Sequence, residues 1–121
     1  MSELIGWCVE LAIHPGQLEP FRELTREMAA MTAAESGVHA YQRFASAGGE
    51  IVHAVEWYAS SAAALAHLQA FDEHFAERFA RMIDERRRFT VYGMPSPALK
   101  EVLDGYGATY LAPLADVGCW P

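Results

Sequence analysis

Two histidines, His67 and His74, have the side chains and the spacing that best suit acid–base chemistry. An imidazole titrates at about pH 6.5, so it can accept a proton at neutral pH. The two residues are seven positions apart, and an ideal α-helix separates such residues by only about 20° around its axis. The spacing predicts that both lie at the margin between a helix and a sheet, where one of them removes a proton from a bound acid.

Four further side chains predict the walls of a pocket for a small aromatic substrate. They are Trp57, His53, Phe71 and Tyr41. Trp57 and His53 share the apolar face of a strand, and an indole offers a broad wall to an aromatic ring. Tyr41, with Arg43 and Glu56, is expected on the opposite strand face, at the contact with a second copy of the chain. Each of these side chains also fits an ordinary packing role, which is the alternative for every one of them.

Metal and nucleophilic chemistry have less support in the residues. A metal site from Glu56, His67 and His74 is geometrically feasible, but the spacing matches no compact ligand motif such as HxxxH. The sequence contains neither a nucleophile elbow nor a glycine-rich phosphate loop. We therefore expect no metal and no other cofactor.

Composition and charge narrow the partners and the compartment. A formal charge of −7 argues against a nucleic-acid partner, because such binding depends on clustered Lys and Arg. The run Arg86, Arg87 and Arg88 is expected to be a solvated helix end. The chain holds no run of about 18 apolar residues of the kind that spans a membrane, and its first residues lack a secretory signal. The expected compartment is the cytoplasm, with Cys8 and Cys119 as free thiols.

Alternation of apolar residues predicts three strands in the first half of the chain. They cover Ile5 to Ile13, Val38 to Ala45 and Ile51 to Tyr58. An amphipathic helix from Gln17 to near Gly37 lies between the first two strands. A two-residue Gly48-Gly49 turn predicts a hairpin whose paired residue numbers sum to 97. The expected pairs are Tyr41 with Glu56, His39 with Tyr58, and Phe44 with His53.

The second helix carries the two candidate bases. Ser60 or Ser61 is its expected N-cap, and its apolar stripe runs to about Arg86 with a bend near Asp72. Three more elements are expected after it: a short strand over Phe89 to Tyr92, a helix over Ala98 to Asp104 with Ser96 as N-cap, and a fifth strand over Ala108 to Leu111.

The resulting β-α-β-β-α-β order predicts the α+β class, with a ferredoxin-like sheet that carries both helices on one face. A C-terminal helix and a fifth strand extend this unit. The other face of the sheet is left uncovered by helices. Because its strands carry too many apolar side chains to face water, we expect a homodimer that packs sheet against sheet.

Several short motifs resemble the antibiotic biosynthesis monooxygenase family. They are Glu35-Ser36-Gly37 before a strand, Glu56-Trp57 at the end of the next strand, Ala62 to Leu65, His67, and His74-Phe75. The resemblance covers residues 5–92 of a single expected domain, residues 1–121. Residues 93–121 form an extension that either packs on a partner subunit or closes a pocket. The resemblance implies a dimeric α+β barrel, the assembly that the family forms.

The resemblance also implies a cofactor-independent monooxygenase that oxidises a small electron-rich aromatic such as a quinol or an anthrone, with His67 or His74 as base. Such a substrate supplies its own electrons, so the protein needs only a base and a dry apolar pocket. The haem-degrading relatives resemble one another in an Asn, Trp and His set, and this chain has no Asn, so that activity is not expected. Two alternatives remain: a non-catalytic small-molecule-binding or stress-associated dimer, and an isomerase that uses the same base without oxygen.

Overall fold

The computed structural model describes residues 3–115, which form five strands and four helices. In chain order these are β1 (Ile5–Ile13), α1 (Leu18–Thr32), β2 (Val38–Ala45), β3 (Ile51–Tyr58), α2 (Ser61–His74), α3 (Ala76–Met82), β4 (Ile83–Tyr92), α4 (Pro97–Gly105) and β5 (Thr109–Leu111). The strand order is β2-β3-β1-β4-β5, and every pair except β4 with β5 is antiparallel. This order confirms the ferredoxin-like α+β sheet, which within one chain is open rather than closed into a barrel.

The core lies between the sheet and the helices. Alternate residues of the central strand β1 point into it and are at most 7% exposed: Ile5, Trp7, Val9, Leu11 and Ile13. The helices contribute the buried side chains Phe21, Leu24 and Met28 from α1, Leu68 from α2, and Leu99 and Leu103 from α4. Removing this apolar surface from water is the main stabilising term of the fold. The remaining residues of β1, among them Cys8 and Glu10, point to the sheet face that no described helix covers.

One face of β2 and β3 carries Tyr41, Arg43 and Glu56 and was expected to meet a second subunit. In the structure this face is turned toward the helices instead. Glu56 and Tyr58 are buried on β3, and Trp7 of β1 pairs directly with Glu56. Because directly paired residues in a sheet point to the same side, the buried residues of β1 determine which face of β3 is inside. Trp57 therefore points to the open face, contrary to the expected position of a pocket wall.

The β2–β3 hairpin keeps the expected register through most of its length. Tyr41 pairs with Glu56 and Phe44 pairs with His53, as expected. The connection is a five-residue loop, Ser46–Glu50, rather than a two-residue turn, and Gly49 donates its N–H to the carbonyl of Ser46 at 2.9 Å. The expected pair of His39 with Tyr58 is wrong, because a bulge before Ala40 lets Val38 pair with Tyr58.

The second helix is shorter than expected and is broken. Ser60 caps α2 by accepting the N–H of Ala63, and the helical geometry is interrupted at Phe75 (φ −130°, ψ −21°) before α3 begins. The helix does not reach Arg86, since β4 begins at Ile83. The strand β5 pairs only with Thr90 to Tyr92, so the first half of β4 is an exposed sheet edge.

The arginine run Arg86 to Arg88 therefore lies in a strand rather than at a helix end. Charged side chains suit an exposed sheet edge because they discourage pairing with other chains. Pairing with β1 overrides the weak strand propensity of these residues.

The C-terminal elements agree with the sequence prediction. Ser96 caps α4 by accepting the N–H of Leu99, and β5 runs parallel to β4. Cys8 is a free thiol, and Cys119 lies outside the described residues. Among residues 3–115 no helix has the length and hydropathy needed to cross a bilayer.

Candidate active site

A buried carboxylate, Glu56, is the centre of a polar cluster between the sheet and α2. Its Oε1 accepts hydrogen bonds from the Tyr58 hydroxyl at 2.6 Å and from Trp7 Nε1 at 3.1 Å. Its Oε2 accepts a hydrogen bond from Arg43 Nη2 at 2.8 Å. Burial raises the pKa of the Glu56 carboxyl, but Arg43, His67 and Tyr58 together outweigh burial, so the pKa lies below its ordinary value. Glu56 is therefore an ionised group held by three hydrogen-bond donors.

The imidazole of His67 lies between two carboxylates. Its Nδ1 is 2.9 Å from Oε1 of Glu35, and its Nε2 is 3.5 Å from Oε1 of Glu56. The His67 side chain is only 6% exposed. Because a carboxylate only accepts hydrogen bonds, His67 donates its Nδ1–H to Glu35, and Nε2 is the nitrogen directed toward Glu56.

Two tyrosines enclose this imidazole. The rings of Tyr41 and Tyr58 each lie with their centroids 5.3 Å from that of His67. Burial raises the pKa of the Tyr41 hydroxyl to about 12, and burial together with Glu56 raises the pKa of Tyr58 even further. Both hydroxyls are therefore neutral hydrogen-bond donors at physiological pH. The Arg43 guanidinium lies 3.7 Å above the Tyr41 ring, a cation–π contact that holds it beside Glu56.

The turn after α1 brings Glu35 to His67. Gly37 has φ +82°, a left-handed conformation that glycine adopts without strain. A Cβ at Gly37 would lie 2.7 Å from the Cβ of Ala63, so only glycine lets this turn approach α2 so closely. His67 follows Ala63 by one helical turn on the same side of α2, which is why Glu35 meets the imidazole.

A cavity of about 60 Å³ adjoins the polar cluster. His67, Tyr41, Arg43 and Glu56 form its polar side, and its apolar side includes Trp7, Phe71, Phe79, Phe89 and Tyr106. Arg86, an exposed residue, lies at its rim with its guanidinium 5.0 Å from the Tyr106 ring. The cavity thus combines aromatic walls, an imidazole and two guanidinium groups.

A sequence model described as antibiotic biosynthesis monooxygenase matches residues 8–81. The chain belongs to the antibiotic biosynthesis monooxygenase family. The matched segment includes Glu35, Tyr41, Arg43, Glu56 and His67, so the polar cluster lies almost entirely within the family region.

Solved structures with the same fold support the architecture. MupZ from Pseudomonas fluorescens is 19% identical, with a TM-score of 0.81, and the match covers 98% of this chain and 91% of MupZ. A candidate antibiotic biosynthesis monooxygenase from Nitrosomonas europaea is 22% identical, with a TM-score of 0.69 over 80% of this chain and 95% of that protein. A conserved protein from Methanosarcina mazei Go1 is 18% identical, with a TM-score of 0.66 over 74% of this chain and 90% of that protein. A comparison with curated proteins finds no match.

The six residues expected at the site separate into two groups in this family member. His67, Phe71 and Tyr41 line the cavity. His74, Trp57 and His53 do not line it. His74 is the last residue of α2, and its side chain is 46% exposed. Phe79 of α3 lies between the C-terminal end of α2 and the cavity, with its ring 5.2 Å from that of Phe71.

The metal site weighed from Glu56, His67 and His74 does not form, because His74 points to solvent. Within residues 3–115 no group of three His, Cys, Asp or Glu side chains has the geometry to hold a metal ion. The two acidic residues of the cluster have other partners instead: Glu35 accepts the Nδ1–H of His67, and Glu56 forms an ion pair with Arg43.

The sequence reasoning did not assign a role to Trp7 or Glu35. Trp7 alternates with the core residues of β1, and nothing in that pattern marks an indole that donates to a carboxylate 49 residues away. The signal for Glu35 was its place immediately before the turn that ends α1, within the motif shared with the family. The motif marks the position of Glu35, but it does not indicate that the carboxylate contacts His67.

Proposed function

We propose that this family member is a cofactor-independent monooxygenase that oxidises a small electron-rich phenol, one whose para position is free, in the cavity beside His67. The observation that carries the proposal is the imidazole of His67 in an aromatic cavity, with Glu35 on one ring nitrogen and Glu56 near the other. An imidazole oriented by a carboxylate is a general base whose free nitrogen is directed to one point.

The proton of the substrate is transferred to Nε2 of His67. Glu35 keeps the Nδ1 proton in place and so fixes the tautomer in which Nε2 has a free lone pair. When Nε2 accepts the proton, the imidazole becomes a cation, and the ionised Glu56 at 3.5 Å stabilises that charge. In a cavity with little water this electrostatic stabilisation is stronger than it would be in solvent.

The anion that forms needs a positive partner. Arg43 lies on the polar side of the cavity and Arg86 at its rim, and either guanidinium can stabilise a phenolate oxygen. Arg43 is also committed to Glu56, so Arg86 is the cation with more freedom to follow the substrate.

The oxidation needs no cofactor because the phenolate is itself the reductant. A phenol with a free para position reacts with O₂ to give the quinone and one water. One oxygen atom becomes the new carbonyl, the other leaves as water with the ring hydrogen and the hydroxyl hydrogen, and the ring loses the corresponding electrons. Aromatic walls such as Trp7 and Phe89 exclude water from the anion before oxygen reacts.

The size of the cavity favours a small substrate. Its volume of about 60 Å³ is well below the roughly 300–1,000 Å³ of typical ligand pockets. A single aromatic ring requires modest displacement of lining side chains, whereas a three-ring anthrone requires much more. The family's dimeric assembly, through the sheet face opposite this cavity, is part of the proposal.

Oxygen uptake by metal-free protein tests the proposal. The wild type is compared with His67→Ala and with His74→Ala, a matched control on the same helix whose imidazole is exposed. With single-ring and two-ring phenols whose para position is free we expect uptake above autoxidation that falls by about 100-fold or more in His67→Ala, the usual contribution of a general base. The proposal is contradicted if His67→Ala takes up oxygen as fast as His74→Ala. It is also contradicted if the wild type takes up oxygen no faster than the substrate's own autoxidation.

A non-catalytic binding protein is the second candidate, and the surroundings of His67 favour it. Both nitrogens of His67 already face carboxylates, so the imidazole also fits a purely structural role. If the chain binds such a phenol, measured by calorimetry, with no oxygen uptake, the binding role is supported and the oxygenase is not.

A further inference from the structure

The cavity beside His67 follows the central strand β1 and has charged groups at both ends. Glu56 of β3 pairs with Trp7 of β1, whereas Arg86 of β4 pairs with Leu11 of β1. The step from Trp7 to Leu11 covers roughly 13 Å of an extended strand, at about 3.3 Å per residue. Both of these β1 residues line the cavity. Arg86 therefore lies at the end of the cavity opposite the polar cluster around Glu56.

The charge of a bound phenolate belongs at the end with the polar cluster. Nε2 of His67 lies 3.5 Å from one carboxylate oxygen of Glu56, and Nη2 of Arg43 lies 2.8 Å from the other. A substrate hydroxyl that reaches Nε2 thus lies near the Arg43 guanidinium as well. Because this end supplies both the proton acceptor and a cation, Arg86 is left for a second negative charge.

Arg86 is available to bind such a charge. Its guanidinium lies 5.0 Å from the Tyr106 ring, and it forms no ion pair with any carboxylate of residues 3–115. Its neighbour Arg87, by contrast, pairs with Glu85 at 3.3 Å. A guanidinium without an acidic partner, beside an aromatic wall, is suited to a carboxylate, which accepts two parallel N–H donors.

A cleft of about 160 Å³ opens beside Arg86, at the edge of the sheet. Phe89 and Tyr106 line both this cleft and the cavity, so the two spaces are neighbours. Three arginines line the cleft: Arg86, Arg87 and Arg88. The acidic residues near Arg86 line a different groove: Asp72, Asp84 and Glu85. An anionic group that leaves the cavity past Arg86 is therefore favoured in the cleft and not in the groove.

The proposed dimer leaves this position accessible. Leu11, the β1 partner of Arg86, is buried on the helix side of the sheet, so Arg86 lies on that side too. Tyr106 caps the C-terminus of α4, which packs on the same side. Arg88 differs, because it pairs with Glu10 and so points to the open face. The site therefore depends on Arg86 and not on Arg88.

The oxidation limits where a substrate can carry its second charge. The position para to the hydroxyl is free, because oxygen is added there. A carboxylate ortho to the hydroxyl would hold the proton in an internal hydrogen bond and so oppose its transfer to His67. The meta position avoids both difficulties. A methylene group between the ring and the carboxylate keeps the ring electron-rich, since a carboxylate attached directly withdraws electrons.

We propose that the substrate is a phenol with a short carboxylate side chain meta to its hydroxyl, and that Arg86 binds this carboxylate at the mouth of the cavity. The proposal rests on the proposed function for one point, that a phenol ring occupies the cavity. Arg86 contacts the substrate away from the reacting atoms, so it determines specificity and not the acid–base step. It lies outside residues 8–81, so the family match does not predict this preference.

The test is calorimetric binding of 3-hydroxyphenylacetate to the full-length protein in the absence of oxygen. The amide, 3-hydroxyphenylacetamide, has nearly the same shape without the charge. We compare the wild type with Arg86→Gln and Arg86→Lys. Arg81→Gln is the matched control, because Arg81 is an exposed arginine of α3 that lines neither the cavity nor the cleft.

The wild type and Arg81→Gln should bind the acid about fivefold more tightly than the amide, the upper value for a partly exposed ion pair. This preference should decrease at high salt, because salt screens exposed charges. Arg86→Gln should lose the preference and still bind the amide as the wild type does, which shows that the cavity is intact. Arg86→Lys should keep part of the preference, since it keeps the charge.

Three outcomes would overturn the proposal: equal binding of acid and amide by the wild type, an unchanged preference in Arg86→Gln, or no binding of the acid. Oxygen uptake with the same two compounds separates this proposal from the proposed function. If the acid binds through Arg86 and is not oxidised, carboxylate recognition stands and the oxygenase does not. If acid and amide are oxidised with the same kcat/KM, the oxygenase stands and Arg86 does not select the substrate.

Discussion

His67 and Glu35 are 32 residues apart in the chain, yet Nδ1 of the imidazole lies 2.9 Å from Oε1 of the carboxylate. The contact joins the turn after α1 to the middle of α2. It leaves Nε2 of His67 as the one ring nitrogen available to a substrate, with Glu56 near enough to stabilise a proton there. Glu35 does not line the cavity, so it acts through His67.

Replacement of Glu35 by Gln should lower kcat of the proposed oxidation. The loss of the negative charge weakens the orientation of His67, and we expect a decrease on the order of tenfold, with KM little changed, because carboxylates that orient a catalytic histidine act mainly on the reaction step. Steady-state oxygen uptake gives both constants. Glu19→Gln, which removes an exposed carboxylate of α1 paired with Arg22, is the control and should leave kcat unchanged. An unchanged kcat in Glu35→Gln would show that His67 does not depend on this contact.

Glu56 should contribute stability that depends on pH. Burial raises its pKa, but Arg43, His67 and Tyr58 outweigh burial, so the folded-state pKa lies below the ordinary value of 4.5. The contribution is therefore complete above that ordinary value and is lost as the pH falls through the folded-state pKa. Glu56→Gln should lower the free energy of unfolding by about 2–3 kcal/mol at neutral pH, since Arg43 loses its buried partner.

Urea unfolding over a pH series measures both effects. Because Gln does not titrate, the stability of Glu56→Gln should fall less steeply with acid than that of the wild type. Glu23→Gln removes a carboxylate from an exposed pair with Arg26 and should reproduce the wild-type slope. If Glu56→Gln and the wild type lose stability in parallel, the carboxylate does not have the lowered pKa.

Gly6 should be required for the packing of the open sheet face. A Cβ at this position would overlap Cδ2 and Cε3 of Trp57 and would lie 2.8 Å from the Glu56 carbonyl oxygen. The rings of Trp57 and Tyr92 stack above it with centroids 5.9 Å apart. We expect Gly6→Ala to lower the free energy of unfolding by about 1–3 kcal/mol, as overpacking does.

Gly105→Ala is the matched control for Gly6→Ala. Gly105 lies in α4, and a Cβ there meets nothing within 4 Å. Alanine is the better helix former, but Gly105 is the last residue of α4, so this change should stabilise the protein by no more than about 0.5 kcal/mol. Chemical denaturation measures the free energy of unfolding of both variants. If Gly6→Ala is no less stable than Gly105→Ala, Trp57 moves aside without a cost in free energy.

The proposed homodimer should depend on the open sheet face. Light scattering with size-exclusion chromatography should give about twice the chain mass of 13.4 kDa at micromolar concentration. Phe44→Glu puts a charge on the open face and should shift the mass toward that of a monomer. Val102→Glu makes the same kind of change at an exposed apolar residue of α4, on the helix side of the sheet, and should leave the mass unchanged. A wild-type mass of 13.4 kDa would contradict the dimer.

The elements could be predicted where a residue pattern and a local signal agree. Alternation along β1 and the cap residue Ser96 each depend on neighbours within a few residues, so the chain itself contains the information. The length of β4 could not be predicted in the same way. The charged residues Asp84 to Arg88 look like a helix end, and only pairing with β1 makes them a strand.

The candidate site was predictable in part. The type and helical position of His67 marked it as a base, and the structure brings it into the cavity. The same reasoning marked His74 equally, because helical spacing gives the direction of a side chain but not what lies opposite it. Whether an imidazole meets a cavity or solvent depends on α3, which covers one end of the cavity with Phe79.

The sequence by itself determined the order of strands and helices, the ferredoxin-like class and the family, since these follow from periodicity, caps and short motifs. Only the tertiary structure decided which face of β3 is inside. One face of that strand carries Glu56 and Tyr58 and the other Val55 and Trp57, so by hydrophobicity the second is the better candidate for the core. Register with β1 reverses this choice, because Trp7 and Arg43 supply the partners that let a carboxylate be buried, and those partners come from other strands.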